Sequence, residues 1–182
     1  MVDYSQEVID HLIACPKRVV KRPSKEMHKD GQVLRNEAGL QSLDGEHQFE
    51  MFMRRHTRFP ENFTIGLSFK DPDDGRSRVL LRHNGPHGPQ LNVGDPSHHR
   101  AHHIHRADEE TISAGLRGER SAGPAQYAGY QAALRSFVET VNLDHADIAT
   151  HFPMCDQLSL WENGSDDSSG ENQEPVPGPR PF

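Results

Sequence analysis

The chain has 182 residues, a formal net charge of −7 at pH 7 and a hydrophobic fraction of 33%. This length suits one domain with short extensions. Most of the negative charge lies in the last 21 residues, and the rest of the chain is close to neutral. This balance argues against a protein that coats duplex DNA through bulk charge. The sequence lacks a signal-peptide pattern and any apolar run of about 18 residues, so we expect a cytoplasmic protein with no membrane partner, in which Cys15 and Cys155 stay reduced.

The first half of the chain predicts a helix followed by strands. Apolar residues recur at helical spacing over about residues 3–14, where Asp3 or Ser5 can cap the start and Pro16 ends the helix. Between residues 33 and 83, apolar and polar residues alternate with period two between short turns. This alternation predicts an antiparallel meander of about four strands with one face on the core.

The second half predicts a short extended run, helices and a tail. "HHIHRA" at residues 102–107 is the extended run, Asp108 opens a short helix, and a longer helix spans about residues 125–141. Its apolar stripe should pack across the sheet; the stripe comprises Tyr127, Tyr130, Leu134, Phe137, Val138 and Val141.

These elements predict a single α+β domain over residues 1–160, in which an antiparallel meander of about four to five strands packs against one long and one or two short helices. Residues 161–182 are rich in Pro, Gly and Ser, and their apolar side chains after Trp161 are Val176 and Phe182. Because they carry five acids and one arginine, we expect a disordered acidic C-terminal tail.

A histidine-rich segment carries the chemistry that the sequence offers. Seven of the thirteen histidines lie between residues 83 and 105: His83, His87, His98, His99, His102, His103 and His105. In a strand, His103 and His105 would share one face with Ala101, and His102, Ile104 and Arg106 would share the other.

Three interpretations of this segment remain open. Two imidazoles can deprotonate a 2′-hydroxyl and protonate the leaving oxygen of RNA, while an arginine stabilises the phosphorane; Arg82, Arg100 and Arg106 are the candidates. Alternatively, three imidazoles can bind zinc; His99, His103 and His105 have a suitable spacing, and Asp95 and Asp108 are the nearest acids. Finally, the histidines can be polar surface that satisfies backbone groups of a Gly- and Pro-rich turn.

Basic residues elsewhere give weaker support to a phosphate partner. They would line a groove for single-stranded RNA, or they are ordinary solvated charge. The two groups are Lys17, Arg18, Lys21, Arg22 and Lys25 after the first helix, and Arg54, Arg55 and Arg58 in one strand and its turn.

The run "LLRHNGPHGP", followed by "HHIHRA", carries a resemblance over about residues 16–143. It resembles an uncharacterised bacterial domain family that pairs an R-x-N-G-P-H-G turn with an H-x-I-H-R strand. More distantly it is similar to the TumE-like toxins of toxin–antitoxin pairs, which have an arginine, a short Asp/Asn-and-Pro turn ending in His, and a P-H-H-x-H strand. This sequence departs from the toxin pattern at Asn84-Gly85, where an acid would be expected.

The toxin resemblance implies a ribonuclease or another translation-directed toxin. Together with the imidazole chemistry above, it favours an RNA-directed, metal-independent protein. His87 and His105 would be the acid/base pair and His103 an orienting partner. Phosphate-binding residues would be Arg82, Arg106 and Arg100, and the loop would be shaped by Asn84, Gly85, Pro86 and Gly88. The partners would be RNA and a cognate antitoxin protein, with no cofactor. The alternatives are a non-catalytic protein- or nucleic-acid-binding module of a bacterial defence or toxin–antitoxin locus, and a zinc protein with histidine ligands.

Overall fold

The computed structural model describes residues 4–87, 100–114 and 121–156. Within these ranges the fold is α+β, with an eight-stranded antiparallel sheet and short helices, as the sequence predicts. The sheet follows the order β1-β3-β4-β5-β6-β7-β8, and β2 pairs with β3 beside β1. The elements are α1 (Gln6–Ala14), β1 (Lys17–Lys21), β2 (His28–Asp30), β3 (Val33–Ser42), β4 (Gln48–His56), β5 (Phe63–Lys70), β6 (Ser77–Asn84), β7 (His103–Arg106), α2 (Glu109–Ser113), β8 (Ser121–Pro124), α3 (Tyr130–Thr140), α4 (His145–His151) and α5 (Pro153–Asp156).

The predicted meander is present as strands β3 to β6, each antiparallel to the next. Its inward-facing positions on β4 and β5 form the centre of the core, because alternate side chains point to the covered side of the sheet. They are Phe49, Met51, Met53, Phe63, Ile65, Leu67 and Phe69, all buried. Strand β6 departs from strict alternation: Leu80 and Leu81 are both buried, because the register with β5 shifts by one residue at a bulge.

The sheet is wider than the predicted meander because β1, β2 and β8 add to it. All three residues of β2 are exposed and polar, and β8 reads Ser-Ala-Gly-Pro. Such segments have neither the alternation nor the β-branched side chains that indicate a strand. They pair through main-chain groups at the edges of a sheet that stronger strands already form.

The helices begin where their caps allow. The Ser5 side chain accepts a hydrogen bond from the Val8 amide at the start of α1, and the Asp108 side chain accepts one from the Thr111 amide at the start of α2. Helix α3 begins five residues later than predicted. The preceding residue, Gly129, has a φ of +87°, and the chain before it forms β8 and an irregular connection.

Helices α1 and α3 both pack on one face of the sheet and cover the core. The core includes Ile9, Leu12 and Ile13 of α1 and Phe137 and Val138 of α3. No helix in the described ranges is long and apolar enough to span a membrane. The tail predicted over residues 161–182 lies outside the described residues.

Lys17 corrects the predicted basic surface. Its side chain is completely buried, and its Nζ atom donates to the carbonyl oxygens of Ile13, Cys15 and Val141. A buried ammonium that is already held by three carbonyls has no access to a phosphate. Lys17 is therefore part of the core and not of an RNA-binding groove.

Candidate functional site

The register of β6 and β7 divides the histidine-rich segment between the two faces of the sheet. Residue pairs across antiparallel strands share a face, and His83 of β6 is opposite Ile104 of β7. His83 packs edge-on against Phe137 of α3, with 5.3 Å between ring centroids, so this pair faces the helices. His103 and His105 therefore point to the opposite face, which we call the helix-free face because α1 and α3 both lie against the other one.

Three imidazoles meet on the helix-free face. The ring centroids of His87 and His103 are 4.9 Å apart, and those of His103 and His105 are also 4.9 Å apart. Both contacts are edge-to-face, with interplanar angles of 70° and 74°. We call His87, His103 and His105 the imidazole cluster. The predicted acid/base pair, His87 and His105, thus lies on either side of the predicted orienting residue.

His103 is the buried centre of the cluster. It has no exposed surface, and its Nδ1 atom lies 2.9 Å from the carbonyl oxygen of Ala101. A carbonyl only accepts hydrogen bonds, so Nδ1 carries the proton and Nε2 is an acceptor whenever the ring is neutral. This contact fixes the orientation of the His103 ring against the two outer rings.

Tyr127 and Asn84 hold the strand ends that carry the cluster. The Tyr127 hydroxyl donates to the main-chain carbonyls of Asn84, at 3.1 Å, and of His103, at 2.9 Å. Burial is the main reason that the pKa of Tyr127 lies above its ordinary value. The Asn84 side chain in turn accepts a hydrogen bond from the Thr64 hydroxyl. The sequence pattern predicts Tyr127 only as part of the apolar stripe, because helical spacing does not indicate which groups a tyrosine hydroxyl contacts.

The turn before His87 requires glycine at position 85. A Cβ atom there would lie 1.8 Å from the Glu61 carbonyl oxygen and 2.7 Å from the ring of Phe63. The Gly85 amide donates to the Phe63 carbonyl, which continues the pairing of β6 with β5 beyond the end of the strand. Pro86 and His87 follow, both half-buried. Gly88, also predicted to shape the loop, lies outside the described residues.

The three predicted phosphate-binding arginines occupy different places. Arg82 is the cross-strand partner of His105, so the two side chains leave the sheet next to each other on the helix-free face. Arg106 points to the other face, where its Nη2 atom is 2.9 Å from Asp10 of α1. Arg100 is exposed. Only Arg82 therefore shares a face and a strand pair with the imidazole cluster.

The two other described histidines of the segment, His83 and His102, have packing roles. His83 is completely buried and stacks on Tyr127 with 5.2 Å between ring centroids. Burial lowers the pKa of His83 to about 4, so this ring is neutral at pH 7. The His102 Nε2 atom accepts a hydrogen bond from the Gly129 amide. His98 and His99 lie outside the described residues.

The described residues contain no group of three or more His, Cys, Asp or Glu side chains arranged to hold a metal ion. His99, one of the three zinc ligands considered in the sequence, is not among them. The chemistry of the imidazole cluster that follows from its own contacts is acid/base chemistry, because the rings are close together next to a permanently charged guanidinium.

Comparison of the chain with protein-family models, with curated proteins and with solved structures gave no match. The resemblance to the two bacterial families therefore rests on motif residues alone, and a function has to be inferred from the geometry of the site.

Proposed function

We propose that the imidazole cluster and Arg82 form a metal-independent site for RNA cleavage, and that the protein is a toxin-like ribonuclease. The observation that carries this proposal is the pair of 4.9 Å contacts that joins His87, His103 and His105 beside the partner arginine of His105. Its partners would be cytoplasmic RNA and a cognate antitoxin protein that blocks the site.

The chemistry needs one basic and one acidic imidazole. One of the pair His87 and His105 takes the proton of a ribose 2′-hydroxyl, whose oxygen then attacks the adjacent phosphorus. The other gives its proton to the 5′-oxygen as the P–O5′ bond breaks. The products are a 2′,3′-cyclic phosphate and a 5′-hydroxyl. The two rings end with exchanged protonation states, which proton exchange with water resets.

The neighbours of this pair supply position and charge. The ring centroids of His87 and His105 each lie 4.9 Å from that of His103. The two outer rings are therefore at most twice this distance apart, a span that a phosphodiester can bridge. Arg82 would stabilise the charge that builds on the phosphorane oxygens, because a guanidinium stays protonated and can donate two parallel hydrogen bonds. His103 is a positioning residue, since it is buried and held by Ala101. Arg106, which binds Asp10 on the other face, has no part in this proposal.

The test is cleavage of a labelled single-stranded oligoribonucleotide by the purified full chain in the presence of EDTA. We expect a product that ends in a 2′,3′-cyclic phosphate, and no cleavage of the same sequence with 2′-O-methyl riboses. His87→Ala and His105→Ala should each lower the rate about 100-fold or more, the usual contribution of an acid or base. The matched control is His145→Ala, because His145 is exposed on α4. This variant should cleave RNA at the rate of the wild type.

Three results would overturn the proposal: intact RNA with folded wild-type protein, equal rates for the wild type and His105→Ala, or loss of cleavage in EDTA. Equal rates would identify a contaminating nuclease. Loss in EDTA would point to the zinc alternative.

The second candidate is a non-catalytic RNA-binding module that uses the same face. It is favoured by the complete burial of His103 and by the engagement of Arg106 with Asp10, which leave fewer groups for chemistry than the sequence predicts. Induced expression of the wild type and of His105→Ala in bacteria separates the two. A ribonuclease toxin arrests growth only as the wild type, whereas a binding module gives the same growth with either chain.

A further inference from the structure

An aromatic side chain lies on the helix-free face where core packing does not explain it. Phe52 is at an outward position of β4, and its neighbours in the strand, Met51 and Met53, are buried on the opposite face. Its ring tip covers Gly66 of β5: a Cβ on Gly66 would lie 2.1 Å from the Phe52 Cζ atom and 2.6 Å from both Cε atoms. Gly66 therefore gives the ring a place to lie against the sheet.

Phe52 belongs to a straight row of cross-strand partners that ends at the imidazole cluster. From β4 to β7 the row is Phe52, Gly66, Arg82 and His105, each the partner of the next. Neighbouring strands are about 4.8 Å apart, so the backbone positions of Phe52 and His105 are separated by roughly 14 Å. A ligand lying along this row would pass the ring, the guanidinium and the imidazole in turn.

Positive charge accompanies the ring. The guanidinium of Arg54 lies 5.2 Å from the centroid of Phe52, and Arg54 is exposed. Its cross-strand partner is Arg35, and like charges directly opposite each other are unfavourable in a sheet. Asp30 neutralises Arg35 at 2.9 Å, which leaves Arg54 to attract an anion.

Two other acidic side chains of this face, Glu37 and Glu50, lie away from Arg82 and His105. Glu37, the cross-strand partner of Phe52 on β3, is paired with Lys21 at 2.7 Å. Glu50 is two residues before Phe52 on β4, away from Arg54. The part of the face between Arg54, Arg82 and His105 thus carries positive and imidazole groups, which complements the phosphates of a nucleic acid.

We propose that single-stranded RNA lies across this face with one base stacked on Phe52 and its phosphates near Arg54 and Arg82. This inference rests on the proposed function and names the form of its substrate. A stacking ring between guanidiniums suits an unpaired base, whose face is free, and not a duplex, whose bases are already stacked. The base on Phe52 would lie a few nucleotides from the bond that His87 and His105 cleave.

The test is fluorescence anisotropy of a labelled single-stranded oligoribonucleotide with 2′-O-methyl riboses, which binds without being cleaved. We expect Phe52→Ala to weaken binding about 5- to 100-fold, the usual loss when a stacking ring is removed, and Phe52→Tyr to bind like the wild type. Arg54→Ala should weaken binding and flatten its salt dependence. The matched control is Phe59→Ala, because Phe59 is an exposed aromatic residue outside the sheet. This variant should bind RNA like the wild type.

Equal binding by wild type and Phe52→Ala would overturn the inference, as would equal competition by a duplex of the same sequence. The melting temperature of each variant shows whether it is folded. If Phe52→Ala is not folded, Arg54→Ala tests the same face, and binding equal to that of the wild type would then overturn the inference. The proposed function is tested separately, since His105→Ala should keep binding and lose cleavage. If RNA is cleaved but binding does not depend on Phe52, only the stacking site is wrong. If binding depends on Phe52 but RNA is not cleaved, only the proposed ribonuclease activity is wrong.

Discussion

The Nζ atom of Lys17 donates a hydrogen bond of 3.2 Å to the carbonyl oxygen of Val141, which lies 124 positions further along the chain. The same ammonium donates to the carbonyls of Ile13 and Cys15 at 2.8 and 2.7 Å, where α1 ends, and lies 4.7 Å from the ring centroid of Phe49. Carbonyls at helix ends have no partner within their own helix. One lysine therefore fastens the C-terminal ends of α1 and α3 to β1.

Lys17→Met should cost about 3 kcal/mol or more of the free energy of unfolding, measured by urea denaturation. Methionine keeps the length of the side chain but leaves three buried carbonyls without their donor, and each such loss is expensive. The neighbouring Arg18 is exposed on β1, so Arg18→Met should stay within about 0.5 kcal/mol of the wild type. Equal costs at the two positions would show that Lys17 is not a structural donor.

Gly85→Ala should destabilise the protein by about 3 kcal/mol or more, because the new Cβ would meet a main-chain oxygen that cannot turn away, the carbonyl of Glu61 at 1.8 Å. In Gly123→Ala the new Cβ has nothing within 4 Å, so this variant should change stability much less. Thermal unfolding of the two variants checks the difference. A mild effect at position 85 would mean that the turn leading to His87 is not fixed by this contact.

Tyr127→Phe tests the support of the imidazole cluster. It removes the hydroxyl that donates to the carbonyls of Asn84 and His103, so we expect a loss of about 1–2 kcal/mol in urea denaturation. Tyr130→Phe is the matched control. Burial raises the pKa of Tyr130 to about 12, but its ring packs edge-on against Phe63 and its hydroxyl makes no hydrogen bond within the described residues. Equal losses in the two variants would contradict the bridging role.

The meander and the division of β7 between two faces could be predicted because both follow from period-two alternation alone. Which face the helices cover does not follow from it, since that depends on contacts such as Phe137 with His83. The same limit separates His83 from His105: they have the same chemistry in the same segment, and only the packing of α3 makes one of them a core residue.

Other features depend on pairs that are distant in the chain. Lys17 looks like a surface residue because charge is normally exposed, and its three acceptors come from two different helix ends. Phe52 gave a usable signal, an aromatic residue at an outward strand position, but its meaning depends on Gly66 being its partner on the next strand. Register therefore limits what the sequence reveals about this site.

The buried His83 predicts a stability that falls in acid. Its pKa is lowered by burial to about 4 in the folded chain, whereas an unfolded histidine titrates near 6.5. Between these two values the unfolded chain binds a proton that the folded chain does not, so the free energy of unfolding decreases as the pH falls from 6.5 to 4 and this contribution levels off below 4. The expected loss is on the order of 3 kcal/mol.

His83→Leu should remove this part of the pH dependence, because leucine has no proton to bind. It should also be at least as stable as the wild type at pH 7, since neither ring nitrogen of His83 makes a hydrogen bond of good geometry within the described residues and an apolar side chain of similar size suits the contacts with Tyr127 and Phe137. The control His145→Leu changes an exposed side chain and should leave the slope unaltered. Urea denaturation at pH 7, 5.5 and 4 measures how the free energy of unfolding changes with pH. If His83→Leu shows the same change as the wild type, other groups cause the acid sensitivity.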